Sequence, residues 1–192
     1  MVQRKIHDIL KMISRREYIL RDVRMAYDRP LCKAWFLDRI LRTEQHYIKR
    51  YMSFLRSEEY YTFVKPNKVL RFFYFRKKNA LGARLGFFIP AGCFGPDLKI
   101  AHYGSIIVNP HSKIGTGCTL HGNCCIGNKG TDSYGNDSPV IGDNANIGQG
   151  AQVIGPIKLA KDITVAAGAI VTKSFDEEGL TLVGAPAIPM KK

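Results

Sequence analysis

Apolar residues recur at every sixth position through the second half of this 192-residue chain, and this period limits what the chain can fold into. Two positions of each six-residue unit are apolar in every unit from residue 141 onward. The first ladder is Ile141, Ile147, Val153, Leu159, Val165 and Val171, and the second is Ala145, Ala151, Ile157, Ile163 and Ala169. A period of six matches neither the 3.6-residue period of an amphipathic helix nor the two-residue period of a hairpin strand.

A six-residue period with two apolar positions is typical of a parallel β-helix. Each unit forms one flat face, and three units close a triangular coil of about 18 residues. Gly and Asn in the remaining positions suit the tight backbone of the corners. The ladders continue upstream with Ile114, Leu120 and Ile126 in the first apolar position, and with Cys118 and Cys124 in the second. We therefore predict stacked coils around a ladder of buried side chains.

The period breaks once, between Ile126 and Ile141, which are 15 residues apart instead of 12. The intervening segment, Asn128 to Pro139, is rich in Gly, Asn, Asp and Ser. Such a composition predicts a loop that leaves the β-helix at one corner. Binding residues are often found on loops of this kind, and a tolerated insertion is the alternative.

The positive charge of the chain is confined to its first half. Residues 1–86 contain 21 Lys and Arg against 8 Asp and Glu, whereas residues 87–192 contain 8 of each, and the whole chain carries +13. We predict a basic helical segment over 1–86 and a β-helix over 87–192. The basic segment is interpreted as a solvated face or as a surface for anionic lipid or an acidic glycan. Without a nucleic-acid motif, no nucleic-acid partner is predicted.

Helical periodicity supports this division. One predicted helix face near the N-terminus consists of Ile6, Ile9, Leu10 and Ile13. A second helix is predicted from Leu31 to Leu55, with core contacts from Trp35, Ile40, Leu41 and Ile48. The stretch VLRFFYFRKKNALGARLG, residues 69–86, is predicted to form a short helix that leads into a turn.

The sequence predicts a cytoplasmic protein, and peripheral contact with a membrane is the alternative. No apolar run approaches the roughly 20 residues that span a bilayer, and the first residues are too charged for a signal peptide. The five cysteines form no CxxC pair, and their odd number fits a reducing compartment. We interpret them as small core residues.

Motifs in the periodic half resemble those of the hexapeptide-repeat acyltransferases, and their order is similar to that of the serine acetyltransferase group. The motifs, between Ile89 and Ala187, are HYG at 102–104, KIG at 113–115, IGQGA at 147–151, AAGA at 166–169 and GAPA at 184–187. The resemblance implies a left-handed parallel β-helix and acetyl-CoA-dependent O-acetyl transfer. It also implies a homotrimer with each site in the groove between neighbouring copies, which some members pair into hexamers through their N-terminal helices.

By the same resemblance, His102 is the catalytic general base. Imidazole titrates near neutral pH, so it can take the proton of an attacking hydroxyl. The six-residue period gives two possible orientations for His102. Counted back from Ile114 it points into the core, and counted forward from Ile100 it points outward. A slip of the ladder near Ile106–Val108 would leave His102 facing outward. A structural histidine is the alternative.

Further residues are assigned by the resemblance to the acetyl-CoA site. They are Gly127, Asn128, Gly148, Gln149 and Ala167. Charge alone adds Lys173, Lys191 and Lys192 as partners for phosphate groups.

The acceptor side differs from the serine acetyltransferase pattern. Ala101 and Phe87 stand where that group has aspartates, and Asp137 and Ser138 stand where it has an arginine–histidine pair. These differences favour a sugar hydroxyl over serine, and the segment Ile89–Gly104 resembles the surface-polysaccharide O-acetyltransferase subgroup more closely. Serine O-acetylation for cysteine biosynthesis is the alternative, and a non-catalytic scaffold or glycan-binding β-helix is the second.

The other histidines of this half are assigned smaller roles. His111, in NPHS, is predicted to be an exposed corner residue, and His121 is a candidate to line the groove or orient His102. Three histidines bind zinc in some trimeric hexapeptide proteins, but no HxxxxH pair is present here. No metal is predicted.

Overall fold

A computed structural model describes residues 14–26, 33–130 and 137–190. Several predictions therefore lie outside the described residues. They concern the helix face at Ile6–Ile13, the burial of Cys32 and the role of Lys191 and Lys192.

Helices form the first part of the described chain. The α-helices are α1 (Arg15–Ala26), α2 (Lys33–Leu41), α3 (Glu44–Glu59) and α4 (Lys68–Leu85), and a π-helical turn over Tyr60–Val64 follows α3 directly. The change from helices to strands occurs between Leu85 and Phe87.

The helix predicted from Leu31 to Leu55 is in fact two helices. The chain breaks at Arg42, whose φ of 51° no helix accommodates, and α3 begins after Thr43. Ile48 is buried as predicted, but Ile40 and Leu41 are 60% and 68% exposed. The prediction for these two was wrong because the break separates α2 from the face that α3 turns toward the core.

The helix predicted within residues 69–86 is present, but it was predicted too short, since α4 is a full helix of 18 residues. Its first turn is capped by the Asn67 side chain, which accepts a hydrogen bond from the Leu70 backbone N–H. It ends at Gly86, whose φ of 79° is a left-handed conformation that glycine adopts at little cost.

Fourteen short strands, joined by turns, follow the helices in the described chain. They are β1 (Phe87–Phe88), β2 (Lys99–Ile100), β3 (Ile106–Val108), β4 (Lys113–Ile114), β5 (Thr119–Leu120), β6 (Cys125–Gly127), β7 (Val140–Ile141), β8 (Asn146–Ile147), β9 (Gln152–Ile154), β10 (Lys158–Leu159), β11 (Thr164–Val165), β12 (Ile170–Val171), β13 (Thr181–Val183) and β14 (Ile188–Pro189).

These strands form the three faces of a parallel β-helix. The sheets run β1-β3-β6-β9-β12, β10-β7-β4 and β14-β13-β11-β8-β5-β2, and every pairing is parallel except β13 with β14. Val153 pairs with Val171, and Ile147 pairs with Val165, so each partner lies 18 residues further along the chain. This spacing confirms the coil of about 18 residues.

Both apolar ladders point into the coils. Every residue of the two predicted ladders from residue 141 onward is at most 4% exposed, and Cys118 and Cys124 are buried with them. The corners carry the predicted left-handed backbone, for example at Asn144 and Asp162, whose side chains are joined by a hydrogen bond of 2.9 Å.

The break in the period lies at one corner, as predicted, but it is larger than the sequence suggested. Strands β6 and β7 form consecutive faces of one coil, so Ile126 and Ile141 would be six residues apart in a regular coil. The insertion is therefore nine residues, not three. The structure describes its two ends, residues 128–130 and 137–139.

A buried guanidinium joins the helices to the first coil. Arg56 of α3 is fully buried and donates hydrogen bonds to Asp22 of α1 (2.5 Å) and to Glu59 (2.8 Å). It also donates to the carbonyl oxygens of Phe94 (3.2 Å) and Gly95 (2.7 Å) in the coil. Five donors in a planar fork allow arginine to bridge several acceptors in this way.

Two carboxylates share this one guanidinium, and one of them holds its proton unusually tightly. Burial raises the pKa of Asp22 to about 6, although the neighbouring Arg56 favours the ionised form. The same carboxylate accepts a hydrogen bond of 3.1 Å from the Leu98 backbone N–H. Asp22 thus connects α1, α3 and the first coil.

The helices and the coils share one continuous core. Ile48, Tyr51 and Leu55 of α3 belong to the same buried cluster as the interior ladders. Lys78 of α4 pairs with Glu58 at 2.9 Å and donates to the Ile89 carbonyl oxygen at 3.2 Å. No helix among the described residues is long and apolar enough to cross a membrane.

We predict that Arg56→Met lowers the free energy of unfolding by about 3–5 kcal/mol, because it leaves two buried carboxylates without their cation. Urea titration followed by circular dichroism measures the loss. The matched control is Arg50→Met on the same helix, where the exposed guanidinium lies 5.7 Å from the Phe54 ring centroid. The control is expected to change stability by about 0.5 kcal/mol or less. Equal losses in the two variants would contradict the role assigned to Arg56.

Candidate active site

Four stacked corners form one long edge of the β-helix, which we call the histidine edge. It consists of residues 101–105, 121–123, 148–150 and 166–168, at the turn between the sheet of β2 and the sheet of β3. The corners are connected by backbone hydrogen bonds, from Gly150 N–H to the Gly122 carbonyl (3.1 Å) and from Gly168 N–H to the Gln149 carbonyl (2.8 Å).

The first corner is two residues longer than the others. Five residues separate the buried Ile100 and Ile106, whereas three separate the buried Leu120 and Cys124. The extra length confirms the predicted slip of the ladder, since Ile106 and Val108 both point inward on β3. It pushes His102 outward, and its side chain is 69% exposed.

A carboxylate from the helical part lies against this corner. Glu44, in the first turn of α3, places Oε2 at 3.2 Å from His102 Nδ1, and its Oε1 accepts a hydrogen bond of 2.7 Å from the Tyr103 backbone N–H. The next residue, Gln45, donates through Nε2 to the Ala101 carbonyl oxygen at 2.9 Å. The N-terminus of α3 thus fixes the corner on both sides of His102.

The histidine–carboxylate arrangement is suited to proton transfer. When Nδ1 carries the proton and donates to Glu44, Nε2 keeps its lone pair and can accept a proton from another molecule. Glu44 was not predicted from the sequence, because 58 residues separate it from His102. Contact between them depends on how α3 packs against the first coil, which no local pattern encodes.

Three of the five residues assigned to acetyl-CoA share the edge with His102. Gly148 and Gln149 lie two corners away from His102, and Ala167 lies three corners away, which corresponds to about 10 and 14 Å at the usual strand spacing. The side chains of Gln149 and Ala167 are exposed. The structure therefore brings these three residues into one line with His102.

Gly127 and Asn128 lie on a different edge, which we call the loop edge. Gly127 ends strand β6, so one strand of the coil separates it from the histidine edge, and Asn128 begins the inserted loop. Lys173, exposed after β12, is on the loop edge two coils further. Within one chain, the loop edge and the histidine edge are not brought together.

The two glycines assigned to the acetyl-CoA site differ in the space that their surroundings leave for a side chain. A Cβ on Gly148 would lie 2.7 Å from the Ala167 backbone nitrogen, so coil stacking alone requires a glycine there. A Cβ on Gly127 would meet the Cys125 Sγ and the Ile154 Cδ1 at 3.7 Å, an ordinary contact distance. Packing therefore explains why residue 148 is a glycine, but it does not require a glycine at position 127.

Other candidate groups have ordinary surroundings. His121 Nε2 lies 3.2 Å from Asn146 Oδ1, and His111 is exposed in a turn, as predicted. Burial raises the pKa of Cys124 to about 12 and also raises that of Cys125, so both thiols stay protonated at neutral pH. Among the described residues, His, Cys, Asp and Glu form no group of three or more that could hold a metal.

Comparison with known proteins identifies sequence relatives for about half of the chain. A serine acetyltransferase of Buchnera aphidicola is 30% identical over 103 residues, which are 54% of this chain and 39% of that protein. A serine acetyltransferase of Mycobacterium tuberculosis is 30% identical over 97 residues, 50% of this chain and 42% of that protein. The matches thus span less than half the length of these relatives. No family model matches the chain.

Solved structures extend the likeness to the helices. The soybean serine acetyltransferase apoenzyme has a TM-score of 0.71 at 21% identity, over 92% of this chain and 69% of that chain. A serine acetyltransferase of Brucella abortus in complex with coenzyme A has a TM-score of 0.70 at 21% identity, over 97% and 72%. These matches confirm the predicted fold, a left-handed parallel β-helix with an N-terminal helical segment. The names of these relatives do not support the finer prediction of a polysaccharide subgroup.

The contrast between the two glycines gives a test. We expect Gly148→Ala to lower the free energy of unfolding by about 1–3 kcal/mol, because its methyl group meets the backbone of the next coil. Gly127→Ala should change stability by about 0.5 kcal/mol or less and weaken coenzyme A binding. Urea unfolding and titration calorimetry with coenzyme A provide the two readouts. Unchanged affinity in Gly127→Ala would remove this residue from the donor site.

Proposed function

We propose that this chain is an acetyl-CoA-dependent O-acetyltransferase in which His102 is the general base. The observation that carries the proposal is the exposed His102, paired with Glu44 at one end of an edge that also contains Gly148, Gln149 and Ala167. The relatives named serine acetyltransferases, and the neighbour that binds coenzyme A, support the same activity.

His102 acts first as a base and then as an acid. Its Nε2 takes the proton of the acceptor hydroxyl while the hydroxyl oxygen bonds to the carbonyl carbon of the thioester. The imidazolium then returns this proton to the sulfur as the carbon–sulfur bond breaks, which yields the acetyl ester and free coenzyme A. A hydroxyl is a poor nucleophile near neutral pH, so this proton transfer is the chemical contribution that the chain must make.

Glu44 is the positioning residue of this base. Its carboxylate accepts a hydrogen bond from Nδ1–H, which fixes the tautomer that leaves the Nε2 lone pair free, and it stabilises the imidazolium formed during the reaction. The bond from the Tyr103 backbone N–H to the same carboxylate holds the corner in place. Glu44 thus acts on both the orientation and the charge of His102.

For the acceptor, the names of the relatives favour serine over a sugar. The sequence favoured a sugar because Ala101 and Phe87 stand where serine acetyltransferases have aspartates. Glu44 weakens that argument, because it supplies a carboxylate next to His102 from another part of the chain. A carboxylate is the group that an amino acid's ammonium requires. The sugar hydroxyl remains the second candidate, favoured by Asp137 and Ser138 in place of an arginine–histidine pair.

The split between the two edges favours a homotrimer. Gly127, Asn128 and Lys173 lie on the loop edge, whereas His102 lies on the histidine edge. A site that uses both must combine the histidine edge of one copy with the loop edge of a neighbour. Repeating that contact around a threefold axis closes a ring with three equivalent sites. Pairing of two trimers through their helices would give a hexamer.

Replacing His102 tests the activity. We expect His102→Ala to lower kcat by about 10²–10⁴-fold with little change in coenzyme A affinity, because the imidazole moves the proton and does not hold the donor. Release of free thiol from acetyl-CoA, with L-serine and then with mono- and oligosaccharides as acceptors, measures the rate. Near-normal turnover in His102→Ala would remove it as the base.

The same assay examines Glu44 and separates the two acceptors. Glu44→Gln should lower kcat by about tenfold or more with an unchanged KM for acetyl-CoA, and Gln45→Ala is the control that loosens the corner without removing the carboxylate. Equal losses in both variants would show that Glu44 only holds the corner. Turnover with sugars but not with serine would reverse the acceptor preference stated above.

Mixed assemblies test the shared site. Copies with His102→Ala and copies with Gly127→Leu are each expected to be inactive. Co-expressed with different tags and purified as mixed trimers, they should recover activity at about one third of the sites, because one of the three interfaces in each mixed trimer pairs an intact histidine edge with an intact loop edge. Mixed trimers without activity would contradict a site formed by two copies.

A further inference from the structure

The outer surface of α4 exposes aromatic side chains that are at most partly covered by the fold. Only one side of this helix packs inward, through residues such as Tyr74, Lys78, Gly82 and Leu85. The rest of its circumference exposes five large apolar residues, each between 36% and 77%: Val69, Leu70, Phe72, Phe73 and Phe75. Such a concentration on one helix exceeds the scattered apolar residues that an ordinary surface carries.

The same surface is strongly basic. Helix α4 contains six basic residues and no acidic one. Lys78 is buried and paired with Glu58, and the other five are exposed: Lys68, Arg71, Arg76, Lys77 and Arg84. The charges lie among the rings, with the Arg76 guanidinium 5.9 Å from the Phe72 ring centroid and Lys77 Nζ 5.5 Å from that of Phe73.

We propose that the α4 surface docks onto an anionic lipid bilayer. Phenyl rings gain free energy by entering the boundary between headgroups and acyl chains, and lysine and arginine side chains reach from there to lipid phosphates. Each basic residue near an anionic membrane surface adds to the attraction. The docking is peripheral, with α4 lying along the interface.

The two other kinds of partner fit this surface less well. A second copy of α4 would place five exposed positive charges opposite five others, with no carboxylate of the helix between them. A soluble acidic polymer would neutralise the charges and leave the exposed phenyl rings in water. Only a lipid surface offers anionic groups and an apolar phase within a few ångströms of each other.

Helix α4 also links this surface to His102. Its Leu85 carbonyl oxygen accepts a hydrogen bond of 3.2 Å from the Gly104 backbone N–H, in the corner that carries His102. Phe73 and Leu85 are 12 residues apart, about 18 Å along the helix. Docking would place the proposed site near the headgroups. This consequence rests on the proposed function, whereas lipid binding does not.

Vesicle sedimentation with the full chain tests the proposal. We expect the protein to pellet with phosphatidylcholine vesicles that contain phosphatidylglycerol, to stay in solution with phosphatidylcholine alone, and to bind less at high salt. Arg76→Glu with Lys77→Glu should weaken binding by about 25-fold or more, at about fivefold for each charge. Phe72→Ser with Phe73→Ser should weaken it by at least about tenfold. Circular dichroism verifies that each variant is folded.

Matched controls carry the same chemical changes on the β-helix. Ile188→Ser with Met190→Ser removes two exposed apolar side chains, and Lys158→Glu with Lys161→Glu reverses two exposed charges. Both should bind vesicles like the unaltered protein. Equal binding to neutral vesicles, or full binding by the Phe72/Phe73 variant, overturns the proposal. So does binding to dextran sulfate but not to vesicles, or a lower sedimentation mass of the Phe72/Phe73 variant, which would indicate a soluble acidic polymer or a second copy.

Discussion

The position of the candidate base depends on one buried cation. Arg56 joins α1, α3 and the first coil through Asp22, Glu59 and the carbonyl oxygens of Phe94 and Gly95. Glu44 lies 12 residues earlier on the same α3, about 18 Å along the helix. Buried ion pairs contribute little net stability because desolvation offsets their attraction. Their effect is on specificity, since an α3 shifted by one turn would separate Arg56 from Asp22 of α1 and from the carbonyl oxygens of Phe94 and Gly95 in the first coil. Arg56 thus fixes the height of Glu44 relative to His102.

The regular part of the fold could be predicted from the sequence because its period is unusual. A six-residue repeat with two apolar positions fits a triangular coil and little else, and the spacing, the buried ladders and the corner backbone were all found as predicted. The exceptions are where local pattern and tertiary structure disagree. The helix break at Arg42 interrupts a periodicity that continues through it in sequence, and Ile40 and Leu41 fit a helical face but stay 60% and 68% exposed.

The site itself could be predicted only in part. Gly148, Gln149 and Ala167 were found in line with His102 because the coil repeat alone determines their stacking. Glu44 could not be found, because its contact depends on how a helix docks on the β-helix. The motif match also treated Gly127 and Gly148 alike. Their surroundings differ, since the backbone of the next coil requires one of them to be glycine and does not constrain the other.

The position of Glu44 on α3 has a consequence for the proposed specificity. A carboxylate on the rigid coils keeps a fixed distance from the base, whereas Glu44 is held at 3.2 Å by the packing of the helical part. Whatever displaces that part changes the geometry of the base and the charge beside the acceptor together. The exposed rings and charges of α4 belong to the same helical part, and α4 contacts the corner of His102 through Leu85. Under the proposed function and the proposed docking of α4, recognition of the acceptor would therefore be coupled to the membrane surface that the helices contact.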